Sequence, residues 1–141
     1  MSELKTNFKS ASGLYDFKDD SLNGFIGTRD LGVTIPQFAQ IFYFAATALT
    51  PFVGAPLNTI SFGSITKSLA IPVIDPVAYM VANILGTFVA GVPVFGVNLL
   101  ITPIKNNTTA TSVVIGIGGA VNPAITAGKI EFVIWYQEMP F

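Results

Sequence analysis

"KIEFVIWYQEM", residues 129–139, is β-branched and aromatic almost throughout, and its middle is apolar on both faces of the two-residue period. A run of that kind is a strand covered on both sides, so it is expected in the interior of a sheet and not at its edge. Trp135 and Tyr136 are neighbours within it and therefore point to opposite faces. One belongs to the core, the other to an interface or a second layer.

Similar runs lie upstream. "LGVTIP" (31–36) alternates Leu31, Val33 and Ile35 on one face and stops at Pro36, and "AQIFYFAATAL" (39–49) follows at once, apolar on both faces. "TPFVGAP" (50–56) reads as a loop. "NTISFGSITKSL" (58–69) sets Ile60 and Phe62 on one side against small and polar residues, with a change of phase around Gly63 that fits a strand pair or one bulged strand. "VNLLITPI" (97–104) and "TSVVIGIG" (111–118) bracket the turn-rich "KNNTTA", which reads as a hairpin loop. Short strands punctuated by Gly, Pro and Asn predict an all-β fold, a single antiparallel β-sandwich. One interruption is expected. In "DPVAYMVANILG" (75–86), Asp75 is placed as an N-cap, Pro76 at the first helical position and Gly86 as a stop, which predicts one short helix near 76–85 across an end of the sandwich.

The chain has 141 residues, enough for one domain with two packed layers. Its mean hydropathy is +0.63 and only 11% of residues are charged, against about 25% in an average soluble domain. Nine of the fifteen charges fall within residues 1–30, and after Arg29 and Asp30 none appears until Lys67. Arg29 and Asp30 thus mark the last solvent-facing turn before a body whose surface is suited to protein neighbours. Residues 1–24 read as an N-terminal arm and 25–141 as the sandwich domain. The arm carries spaced apolar anchors, Leu4, Phe8, Leu14, Tyr15 and Phe17, which are candidate partner contacts. Free, it is expected to be mobile; on a partner it becomes a strap.

Several chemistries are closed. Without cysteine there are no disulfides or thiolate sites, and without histidine there is no Ser-His-Asp triad and no HExxH zinc site. A net charge of −1 with no basic run gives nucleic acid no electrostatic footing. "MSELKTNFKSASG" lacks the apolar core of a secretory signal. "GIGGAV" (116–121) has the wrong spacing for a phosphate loop and reads as a strand end with a turn, and "DFKDD" (16–20) lacks the glycine and distal glutamate of a calcium loop. Glu131 and Glu138 read as strand-end or cross-strand residues, and Asn106 and Asn107 as turn residues. No catalytic, cofactor-binding or metal-binding residue is identified, and the chain is not expected to be an enzyme.

Three stretches together, "DLGVTIPQFAQI" (30–41), "NTISFGSIT" (58–66) and "AITAGKIEFVIWYQ" (124–137), resemble in kind and order the strand motifs of a group of small bacteriophage virion proteins. The resemblance covers residues 24–137 and implies a jelly-roll-like sandwich that serves as a head-decoration, vertex or spike-base subunit of the virion. It implies protein partners, namely other virion proteins and further copies of the chain, with a trimer or pentamer expected by analogy with jelly rolls at capsid symmetry axes. Two alternatives stand beside it. Residues 76–104 carry no charge and are long enough for a membrane span, though Pro93, Asn83, Asn98 and the series Gly86, Gly91 and Gly96 oppose one. A carbohydrate-binding sandwich on a virion surface would want exposed aromatics clustered with polar residues, whereas this chain keeps its aromatics in apolar runs.

Overall fold

The computed structural model describes residues 8–17, 27–54, 58–66, 73–84, 87–96, 104–105, 109–119 and 127–138. They form nine strands: β1 (Phe8–Asp16), β2 (Gly27–Ile35), β3 (Ala39–Val53), β4 (Thr59–Thr66), β5 (Ile74–Ile84), β6 (Pro93–Phe95), β7 (Ile104–Lys105), β8 (Thr111–Gly118) and β9 (Ala127–Glu138). One sheet has the order β1-β9-β3-β6, with the two-residue β7 also on β3; the other has the order β2-β8-β4-β5, and all pairings are antiparallel. The pairs β1–β9, β2–β8, β3–β6 and β4–β5 are those obtained by rolling up one long antiparallel ribbon, which is the jelly roll.

β9 lies between β1 and β3, as its two apolar faces require. Its Ile130, Phe132, Ile134 and Tyr136 point inward and are buried. From the facing sheet, Phe62 on β4 and Tyr79 on β5 meet them. Phe44 on β3 joins the two layers: its ring centroid is 5.1 Å from Phe62, 5.7 Å from Tyr79 and 5.8 Å from Phe132. These four rings, with isoleucines 35, 41, 60, 115, 130 and 134, fill the space between the sheets. Aromatic contacts of this spacing add to the area they bury.

The expected helix near 76–85 is a strand, β5. Asp75 makes the local hydrogen bond that a cap would make, its Oδ1 accepting the N–H of Val77 at 3.2 Å, but that bond opens a bulge and no helix follows. Val77, Tyr79, Val81 and Ile84 suit a ladder, and β4 supplies one. Between Phe62↔Met80 and Ser64↔Asp75 the pairing takes in three extra residues on β5, so the change of phase near Gly63 comes from the partner strand. A Cβ at Gly63 would collide with the backbone of Asp75 and Pro76. That close approach explains why small residues, Ser61, Gly63 and Gly116, line this side of β4 and β8.

Two loop expectations also change. β3 runs on to Val53, passing Pro51 where its register with β9 shifts, and Phe52 packs against the core. β7 and β8 belong to different sheets, so these two strands do not pair as a hairpin. The boundary after residue 24 moves as well. Residues 8–16 pair with β9 along their whole length, and Tyr15 and Phe17 are buried in the core, so this part of the expected arm is an outer strand of the sandwich. On its inward side Ala11 and Gly13 are small, a Cβ at Gly13 meeting the Phe132 ring, and Tyr15 and Phe17 then bring two rings into the core.

Candidate interaction surfaces

Since the inward residues of β9 are the even-numbered ones, Glu131, Val133, Trp135 and Gln137 face outward. The ladder aligns their neighbours. Trp135 lies between Ser10 of β1 and Tyr43 of β3; Val133 lies between Ser12 and Ala45, and Ala45 is opposite Phe95 of β6; Gln137 lies between Phe8 and Gln40. Phe42 is the extra residue where β3 slips against β9, and its ring sits 5.7 Å from that of Phe8. Tyr43 and Phe95 meet edge to face at 5.9 Å. Trp135 is 43% exposed, Phe8 55% and Phe95 62%. The outer face of an antiparallel sheet is ordinarily polar. This one is aromatic, and along β9 it is uncharged from Val133 to Gln137.

Of the five arm anchors, Leu4 lies outside the described residues. Phe8 and Leu14 are exposed on this outer face, Leu14 opposite Glu131. Tyr15 and Phe17 turn the other way, meet edge to face at 4.7 Å, and continue through Phe52 at 5.4 Å to Phe88. The anchors therefore divide between surface and core. Two ion pairs hold β1 to β9, Lys9 to Glu138 at 3.0 Å and Lys129 to Asp16 at 3.7 Å. The hydrogen bond from Lys9 to the Glu138 carboxylate, and the attraction of that charge, hold the ammonium above its ordinary range.

A second patch lies on the other sheet. Register places Ile74 opposite Ile65 and Ile84 opposite Thr59 on its outer side, and with Val77 and Val81 they form an exposed aliphatic strip along β5. It contains no aromatic ring. Trp135 and Tyr136 divide between surface and core as the period requires, Trp135 outside and Tyr136 inside. Tyr43 and Phe95 were not singled out by sequence reasoning; "IFYF" is aromatic on both faces, and only the bulge at Phe42 decides which ring meets water. Glu131 and Glu138 project to opposite faces and cannot act as an acid–base pair. Among the described residues no three His, Cys, Asp or Glu side chains converge on one point. Residues 76–84 and 93–95 of the charge-free stretch are strands, and no helix among the described residues is long and apolar enough to cross a membrane.

The fold is shared with chains of two phage capsids. A chain in the capsid asymmetric unit of cyanophage Pam1 superposes with a TM-score of 0.57 at 12% identity, covering 99% of this chain and 90% of that one. A chain in the capsid of Ralstonia phage GP4 does so with a TM-score of 0.60 at 16% identity, covering 100% and 91%. At such identities the likeness is one of fold. No protein-family model and no curated protein matches the sequence.

Proposed function

We propose that this chain is a structural component of a bacteriophage particle, a small capsid-associated jelly-roll subunit of the decoration, vertex or minor-capsid kind that works through protein–protein contacts and without catalysis. The observation that carries the reading is the full-length likeness of fold to chains of two phage capsids, in which neither partner has a large extra domain. The aliphatic strip along β5 supports it. Exposed, uncharged aliphatic surface of this kind is suited to a protein neighbour. The partners are other virion proteins and copies of the chain itself, as a trimer or pentamer; nucleic acid is not among them.

The test is to locate the chain in an image of the assembled particle and to measure its uptake into particles. Val81→Asp and Ile74→Asp place charges on the strip without touching the core, and uptake is expected to fall at least tenfold. Wild-type uptake by both variants, or absence of the chain from purified particles, overturns the reading. Sedimentation of the purified chain distinguishes three or five copies from one.

A further inference from the structure

The connection from β2 to β3 is Pro36-Gln37-Phe38, and it crosses from the second sheet to the first at an end of the sandwich. The N–H of Ala39 donates to the carbonyl of Pro36 at 3.3 Å, and Phe38 has φ +67°, the one positive φ at a non-glycine among the described residues. A four-residue turn closed in this way, with a positive φ at its third residue, is of type II, and that position ordinarily holds glycine or asparagine. An aromatic residue is out of place there, because its Cβ crowds the backbone. Strain of this kind gathers where a chain grips a ligand or a partner.

The frame around the turn is rigid. Ile35 before it and Ala39 after it have no exposure, so a three-residue connection is pinned in the core at both ends. Phe38 between them leaves 39% of its surface open. What the ring gains by partial burial is offset by what its backbone costs, so the fold itself has little use for phenylalanine over glycine at this position. We infer that Phe38 is a docking anchor, its ring seated in an apolar socket of a neighbouring virion protein; the inference rests on the capsid role proposed above. A ring on a fixed pedestal loses little freedom when it seats, and an aromatic side chain in a desolvated pocket carries a large share of the energy of an interface. Across the ladder Ala39 lies opposite Glu138, whose carboxylate is paired with Lys9 at 3.0 Å, so the charge at this end of the strand is already matched and the socket needs none of its own. The socket belongs to a different protein and not to a second copy, because the large apolar patches described above lie on open strand faces, against which a protruding ring finds no walls.

Phe38→Gly gives the turn the residue it ordinarily holds and removes only the ring, and Phe38→Asn does the same with a polar side chain. Both full-length variants are expected to keep Tm within about 4 °C of the wild type, the equivalent of about 1 kcal/mol. Their sedimentation is expected to match the wild type, while uptake into particles falls about tenfold or more, the effect of losing one anchor. Gln37→Ala, at the exposed neighbour in the same turn, is expected to leave uptake unchanged. Wild-type uptake by both Phe38 variants overturns the inference, as does a larger loss of Tm in both, which would make the ring part of the core. Loss of self-association by either variant overturns it too, since the socket would then lie on another copy. A fall in uptake with Val81→Asp but not with Phe38→Gly leaves the capsid role standing without the anchor. Absence of the chain from particles overturns the capsid role itself and is seen with the wild type, before any variant is made.

Discussion

Asp30 Oδ1 accepts the backbone N–H of Gly32 at 2.8 Å, closing a turn inside β2 in which Gly32 adopts φ +74°. The same oxygen accepts the hydroxyl of Ser112, which is fully buried on β8. At this point β2 takes in two extra residues against β8, between Asp30↔Val114 and Thr34↔Ser112. The charge at the border of the uncharged body therefore organises a bulge.

Asp30→Ala removes the oxygen that accepts both hydrogen bonds and leaves a buried hydroxyl unpaired, at a cost of about 1–3 kcal/mol. Asp30→Asn keeps an acceptor and should cost less. A Cβ at Gly32 would touch nothing, so Gly32→Ala isolates the backbone conformation and should cost about 1–2 kcal/mol. Urea unfolding of the three variants checks the order.

Gly63→Ala tests the seat of the β5 bulge. The added methyl would meet the backbone of Asp75 and Pro76, which no side-chain rotation relieves. A loss of at least ~3 kcal/mol is expected, near the upper end for overpacking. Differential scanning calorimetry should show a clearly lowered Tm; a wild-type Tm would mean that the two strands part easily.

Phe17 and Phe8 bound the same strand and should behave oppositely. Phe17→Ala empties a site at the end of the core and should cost about 3–5 kcal/mol. Phe8→Ala removes an exposed ring and should change stability by no more than about 0.5 kcal/mol. Deleting residues 1–17 should destabilise the sandwich, since it removes Tyr15 and Phe17 and bares the edge of β9.

Tyr79 sets an alkaline limit. Burial raises its phenol pKa above 10.0; the Thr111 and Ser64 hydroxyls lie near enough to soften the shift, yet neither closes a hydrogen bond to Tyr79 Oη. The folded state holds the proton more tightly than the unfolded chain, so its contribution is complete below pH ~10 and is lost as pH rises beyond that value. Tyr79→Phe should be neutral or stabilising at pH 7, because the hydroxyl it removes has no partner. The gap between variant and wild type should widen in the variant's favour above pH ~10, as read from Tm against pH.

Residues 31–35 and 129–139 were legible because a strand's period is local. Leu31, Val33 and Ile35 alternate whatever they pair with, and Lys129–Glu138 could only be a covered strand. The all-β class follows from such runs, and so does the division of Trp135 from Tyr136. Asp75-Pro76 was misleading for the same reason of locality. An aspartate that accepts the N–H two residues on serves a cap and a bulge equally, and β4, remote in sequence, decides for the bulge. Tyr15 and Phe17 looked like anchors for a partner until β9, more than a hundred residues away, was seen to dock their strand. Which of Phe42, Tyr43 and Phe44 meets water depends on one extra residue in the register with β9. Composition and period therefore determined that strands form and how their side chains alternate. Pairing between distant segments decided which sheet each strand joins and which face is left open, because ladder hydrogen bonds and the packing between sheets exist only once those segments meet.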